Sequence, residues 1–327
     1  MKKKIVITGG SGYVAKSLIE YLDLDKFEVT LLTRDKEKIL FIKKDYNVNI
    51  ENIDWSNSSD VQKKLINKNY VIHAAAMVPT RSDANNFEII KSSLKICKTI
   101  CDLNLNLEKF IYISTLRTCI NTKEEVFTDD TKYDFYKFDT AYGKSKYLSE
   151  QYFLKYQKKN NLPLIICSPS HILGPESENI SKSNEFIFNI FRKKINFYIN
   201  TRFPIVDISD VCEAIKLIID KSQINDKFLL CYHNPTLYEL IKKCEKIQGK
   251  KVKIYLPLFL INIVSIFFDF LNKKIKIKKL PINRSSYHFA KLNGKFKGLK
   301  IIKLGLNYTD MDVTIDKLYK FYNKDVL

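Results

Sequence analysis

Thr8-Gly9-Gly10-Ser11-Gly12-Tyr13-Val14-Ala15 is the stretch whose reading decides how this chain is built. It follows the β-branched run Lys4-Ile5-Val6-Ile7 and leads into Ala15, Leu18, Ile19 and Leu22, which recur at helical spacing. A strand therefore turns directly into a helix. Gly9 permits the tight turn, and Gly12, lacking a Cβ, lets backbone amides approach a pyrophosphate. Ala15 is small enough for the helix to pack on the strand. The helix start offers unpaired N–H groups and a positive dipole end to an anion. Gly9, Gly10, Ser11, Gly12, Tyr13 and Val14 are thus candidate ligands of a dinucleotide. A glycine-rich turn also occurs as a purely structural device, so the strand–turn–helix order carries the weight.

The chain then alternates. Phe27–Thr33 reads as a second strand, Lys36–Lys43 as a short helix, Asn49–Asp54 as a third strand and Val61–Ile66 as helix. Tyr70–Ala76 forms a fourth strand and its tip, followed by a helix over Phe87–Asn104 and a strand over Phe110–Ser114. A long helix from Ala141 to Lys158 precedes the strand Leu164–Cys167. This alternation predicts an α/β fold with a doubly wound parallel sheet covered on both faces. The second strand ends in Thr33-Arg34-Asp35. In such sheets an acid there meets a ribose diol, whereas an arginine nearby accommodates a 2′-phosphate. Arg34 favours NADP(H) over NAD(H); Asp35 as a late diol ligand is the other reading.

The formal net charge of +19 raises nucleic acid as a partner, yet only six of the 55 basic residues are arginine. The lysines are scattered and no nucleic-acid module accompanies them, so none is expected to bind. Lys, Asn and Ile are all abundant, which points to a compositional bias of the source. The seven cysteines (97, 101, 119, 167, 212, 231 and 244) show neither a CxxC pair nor metal spacing, and read as core residues in a reducing compartment. Only Ile5-Val6-Ile7 follows the opening lysines, too short for a signal peptide, and a cytoplasmic location is the expectation.

Tyr142-Gly143-Lys144-Ser145-Lys146 lies at the start of the long helix, so Tyr142 and Lys146 share a face one turn apart. An ammonium near a phenol lowers a pKa that begins near ~10 and makes the tyrosine a usable acid or base. Such spacings are cheap in a chain with 19 tyrosines, as Tyr133 and Lys137 illustrate. Position lifts this one: it follows the fifth strand, whose tip reads Ile113-Ser114-Thr115.

With these residues in view the chain resembles the extended short-chain dehydrogenase/reductases, also called the NAD-dependent epimerase/dehydratase family. The likeness runs through the Gly9–Ala15 turn, Val71-Ile72-His73-Ala74-Ala75, Tyr142–Lys146 with a trailing Glu150, Pro169-Ser170-His171-Ile172-Leu173-Gly174-Pro175, and Ile205–Val211. It implies a Rossmann-type fold with a smaller C-terminal substrate lobe. It places the catalytic residues at Thr115, Tyr142 and Lys146, and adds Ala74, Ala75, Pro169 and His171 to the cofactor site. Asp54 could flank the adenine, and Ser114 and Arg202 could meet substrate. Leu116-Arg117 stand where dehydratases carry an acidic pair, which removes the acid for elimination. His171 and Ser168 replace the Asn and Arg common in nucleotide-sugar epimerases. Thr33-Arg34-Asp35 and Phe203–Asp207 are similar to the branch of dihydroflavonol reductases and 3β-hydroxysteroid dehydrogenases. A reductase or dehydrogenase is favoured; a nucleotide-sugar epimerase or 4-ketoreductase is the alternative. The likeness also implies a homodimer and a small-molecule substrate, apolar or a nucleotide sugar.

The expected division is a cofactor domain over 1–175 with a returning strand and helix near 203–232, and a lobe from 176–202 and 233–327. Within the lobe, Leu256–Leu271 is almost wholly apolar, with Asn262, Ser265, Asp269 and Asn272 on one narrow stripe and lysines at both ends. It is shorter than the ~20 residues of a membrane span. Three readings stand: a lid over the cleft, peripheral membrane contact through Leu258–Leu271, and last a true membrane span.

Overall fold

The structure, a computed structural model, describes residues 1–75, 86–103, 105–134, 140–176, 180–192, 195, 197–248, 254–275 and 284–324. Seven strands form the main sheet: β1 (Lys3–Thr8), β2 (Phe27–Thr33), β3 (Asn49–Asn52), β4 (Tyr70–His73), β5 (Lys109–Ile113), β6 (Leu164–Pro169) and β7 (Asp226–Leu230). Their order is β7-β6-β5-β4-β1-β2-β3, and every pairing is parallel. The order reverses at β1, whose Ile5 pairs with Val29 on one side and Tyr70 on the other. A crevice at that reversal is where doubly wound sheets hold ligands.

β1 can be a continuous apolar run because helices cover both faces. Ile5 and Ile7 pack with Ala15, Leu18, Val211 and Ile215. Val6 points the other way, toward Val71, Phe110, Cys97 and Phe153. A third core, outside the sheet, joins Leu173, Ile187, Phe188, Leu240, Ile315 and Leu318. It gathers the helices Lys182–Phe191, Leu237–Gln248 and Met311–Lys324. His171–Leu173 pairs in parallel with Ile205–Asp207 and connects that core to the sheet. Buried Asp129 adds a further tie, accepting from the backbone N–H groups of Leu229, Leu299 and Lys300.

Local departures from the sequence reading have physical causes. The first helix is α-helical only over Tyr13–Leu18 and tightens to a 3-10 turn at Ile19–Tyr21. Glu37–Lys44 is likewise 3-10. The apolar lobe helix spans Leu258–Ile275 rather than beginning at Leu256, because Pro257 sits just ahead and its carbonyl accepts from Leu260 and Ile261. No described helix is long and apolar enough to cross a membrane. All seven cysteines are free and buried.

Candidate active site

The turn after β1 is built by its backbone. Gly9 has φ +73°, and a Cβ there would lie 2.8 Å from the Ala75 nitrogen, so only glycine lets the turn meet the β4 tip so closely. Thr8 Oγ1 reinforces that contact, receiving the Ala75 N–H at 3.3 Å and bonding His73 Nδ1 at 2.8 Å. His73 is buried among Trp55, Tyr112 and Phe153, and desolvation pushes its pKa down to about 3. It is a neutral packing group. The helix that follows has no side-chain cap and no acid in its first turn, and Ser11 and Gly12 are exposed. Its orphan N–H groups therefore remain for an anion, and these residues fit a bound dinucleotide.

Beyond the tips of β2 and β3 lies a cavity of about 570 Å³ lined by Arg34, Lys36, Asn52, Asp54 and Asp60, among others. Arg34 is exposed there. Asp54 is fixed by the N–H and hydroxyl of Ser56, which hold its carboxyl below the ordinary range. Lys36 is a second cation on this rim. The sequence reading passed over it, although it stands only two residues after Arg34.

Tyr142 and Lys146, the pair expected to handle a proton, lie on the helix Ala141–Asn160. Thr140 caps the helix Ala141–Asn160, accepting from the Gly143 N–H at 3.0 Å, which fixes where Tyr142 begins the helix. Lys146, only 4% exposed, donates to the Ile113 carbonyl at 2.6 Å and lies 4.7 Å from the Tyr112 ring centroid. Burial brings its pKa down to about 8. Its Nζ is 6.0 Å from the centre of the Tyr142 ring. Desolvation pushes the Tyr142 phenol up to about 12, and the charge opposing that rise is the Arg117 guanidinium. The spacing predicts Lys146 for that role, and here its ammonium also donates to the Ile113 carbonyl.

Thr115 is extended and leads into the 3-10 turn Leu116–Cys119. Its neighbours hold it in place. Ser114 Oγ and Thr118 Oγ1 both donate to Glu150 Oε1, and Lys227 reaches Glu150 Oε2 at 3.0 Å. The β5 tip is thereby tied to the helix that carries Tyr142 and Lys146. Ser114 is 3% exposed with its hydroxyl committed to Glu150, so the structure gives it a structural bond rather than the expected substrate contact.

Arg117 and a row of rings complete the cleft. The Phe186 and Phe203 centroids are 4.9 Å apart, Phe203 and His171 stack at 4.2 Å, and Phe289 stands edge-on to His171 at 6.2 Å. The Arg117 guanidinium carbon lies 4.7 Å from the Phe289 centroid. All five side chains are half-buried. His171 Nδ1 donates to the Pro204 carbonyl at 2.8 Å, and burial lowers its pKa to about 4, leaving the ring neutral with Nε2 as acceptor. Pro169 is buried at the end of β6, paired with Leu230. Arg202 Nη1 donates to the Asn234 carbonyl at 2.9 Å, and the residue lines a narrow space with Pro204 and Phe289. Arg117, Phe186 and Phe289 escaped the sequence reading of the site. The scarcity of arginine was the available signal for Arg117.

Residues 5–231 match the model of the NAD dependent epimerase/dehydratase family. A putative dihydroflavonol 4-reductase of Synechocystis sp. is 24% identical over 271 residues, covering 77% of this chain and 76% of that protein. An anthocyanidin reductase ((2S)-flavan-3-ol-forming) of Vitis vinifera is 22% identical over 275 residues, 75% and 81% of the two chains. Among solved structures, gox2253 superposes with a TM-score of 0.84 at 21% identity over 99% of each chain. A UDP-glucose 4-epimerase of Thermotoga maritima gives 0.75 at 16%, over 99% of this chain and all of that one. The chain belongs to the NAD dependent epimerase/dehydratase family and is an enzyme of the extended short-chain dehydrogenase/reductase type.

Proposed function

We propose that this family member is an NADPH-dependent reductase of apolar ketones or aldehydes. The observation that carries the reading is the ring row Phe186–Phe203–His171–Phe289, ended by Arg117, whose charge also acts on the Tyr142 phenol. Rings with half-buried faces remove apolar surface of a substrate from water at about 25 cal/mol per Å². The curated relatives named above are reductases, which agrees with this choice.

The helix start at Gly12–Val14 would hold the pyrophosphate, with Gly9, Gly10 and Ser11 closing the turn. Arg34, with Lys36 beside it, would meet the 2′-phosphate; Asp54 would line the adenosine end, and Ala74, Ala75, Pro169 and His171 the approach to the nicotinamide. When bound, the nicotinamide supplies the hydride. Thr115 then donates a hydrogen bond to the substrate carbonyl oxygen, and Tyr142 delivers the proton that this oxygen needs. A phenol pushed up to about 12 is fully protonated at neutral pH, as a donor must be. Arg117 stabilises the phenolate left behind. Lys146 holds the nicotinamide ribose, and Glu150 keeps Thr115 and Tyr142 in register through Ser114 and Thr118. The separate core around Leu173, Phe188 and Leu318 supports a substrate lobe over 176–202 and 233–327 beside a cofactor domain over 1–175 and 203–232.

The test is a panel of apolar ketones and aldehydes against UDP-sugars, with NADPH consumption followed by absorbance. Carbonyl-dependent NADPH oxidation is the expected result. Interconversion of UDP-sugars without net cofactor turnover overturns the reading in favour of an epimerase.

A further inference from the structure

Along the helix Leu258–Ile275, the side chains described between 258 and 267 leave a broad apolar face turned outward. Phe259, Leu260, Ile263, Ile266 and Phe267 are 39–63% exposed, and their spacing places them on one face. Ile254 and Tyr255, on the short strand just before the helix, extend the same apolar character at 55% and 49% exposure. On the opposite face Ile261 is 4% exposed, and Ser265 is fully buried, its hydroxyl turned back to the Asn262 carbonyl. A helix meant for water would place Ser265 outside and Phe259 and Phe267 within. Five large apolar side chains on one exposed helical face exceed the scattered exposure normal for a soluble surface.

Charge identifies what covers this face. In the sequence Lys250, Lys251 and Lys253 come just before the segment and Lys273, Lys274, Lys276, Lys278 and Lys279 end it, in a chain of net charge +19; of these only the backbone of Lys273 and Lys274 lies among the described residues. A second copy would bring like-charged flanks together. An anionic bilayer offers apolar depth to the rings and negative headgroups to the lysines at once. The helix does not have the length and apolarity of a crossing segment, so it would lie in the interface plane.

We infer that the outward face of Leu258–Ile275 docks this enzyme peripherally on anionic lipid bilayers. The helix packs on Arg284–Leu292, which carries Phe289 of the ring row, so docking also sets the cleft close to the bilayer surface. The inference does not depend on the proposed reduction, and each can fail alone.

The experiment is co-sedimentation of the full chain with vesicles of phosphatidylcholine alone and of phosphatidylcholine with phosphatidylglycerol, at low and physiological salt. Binding to the phosphatidylglycerol vesicles that weakens with salt is expected, with little binding to phosphatidylcholine. Neutralising Lys273, Lys274 and Lys276 to Gln should weaken binding about 5-fold per lysine, on the order of 100-fold together. Ile263→Glu with Phe267→Glu should abolish it while leaving the melting temperature and solution turnover intact, because both side chains face outward. No sedimentation with anionic vesicles, or unchanged binding by the double glutamate variant, overturns the inference. So does a dimer in light scattering that this variant converts to monomer, which would assign the face to a second copy.

Discussion

The tips of β1 and β5 face the same crevice but are built from different material. At β1 the functional groups belong to the backbone: Gly9 at positive φ, a close approach to Ala75, and an uncapped helix start. At β5 the candidate groups are tied to side chains from elsewhere: Ser114 and Thr118 to Glu150, the Ile113 carbonyl to Lys146, Arg117 to Phe289. The first tip fixes geometry through covalent necessity, the second through assembly. A cofactor common to many enzymes suits the first device, whereas a substrate particular to one suits the second.

That contrast predicts separable defects. Tyr142→Phe should lower turnover by about 10²–10⁴ while NADPH affinity stays within a few-fold, since the role proposed for the phenol is proton transfer and its ring still packs. Steady-state kinetics with cofactor titration checks this, and near-normal turnover would remove Tyr142 from the chemistry. Glu150→Ala should destabilise the fold by about 3–5 kcal/mol in urea unfolding, because it leaves Lys227 without its buried partner. A loss well below that range would mean that the β5 tip is not pinned as described. Arg34→Ala should weaken NADPH about 10- to 100-fold and NADH hardly at all, the cost of a charge-assisted phosphate contact. Tighter NADH than NADPH binding by the wild type would cancel the role of Arg34. Gly9→Ala should weaken both cofactors about tenfold, since a left-handed alanine costs about 1–2 kcal/mol and its Cβ would press on Ala75. Intact binding by that variant would dissolve the claim that the β1 tip depends on its backbone.

The smallest effect is in pH. Burial depresses Lys146 to about 8, so its ammonium is present below that value and lost as pH rises through it. NADPH affinity should therefore fall several-fold across that window, and Lys146→Arg should flatten the profile. Tyr142, raised to about 12, stays protonated throughout. Fluorescence titration on either side of pH 8 reads the change.

The same contrast explains what could be read from the residues alone. The alternation of strands and helices was legible because each apolar run declares its period, and the glycine turn because its demand on φ is local. Tyr142 and Lys146 were legible as a pair, since helical spacing puts them on one face. What spacing could not say is which acceptor claims the ammonium: Ile113 ends β5 and meets the helix that carries Lys146 only in the folded protein. Arg117 and Phe289 lie far apart in the chain, as do His171 and Phe203, and no local pattern announces either contact. Ser114 stood beside Thr115 and was read with it, yet alternation along an extended backbone sends adjacent side chains to opposite sides.

The seven buried cysteines give the molecule an internal gauge of its own opening. Burial raises each thiol, Cys97 to about 11 and Cys231 and Cys244 to about 12, so the native protein presents almost no thiolate to an alkylating reagent or an oxidant. Labelling then requires that a segment first unfold, and the cysteines report several: the β4–β5 helix at Cys97 and Cys101, the β5 tip at Cys119, the sheet at Cys167, the lobe at Cys244. The order in which they are modified traces the order in which the two tips and the lobe come apart.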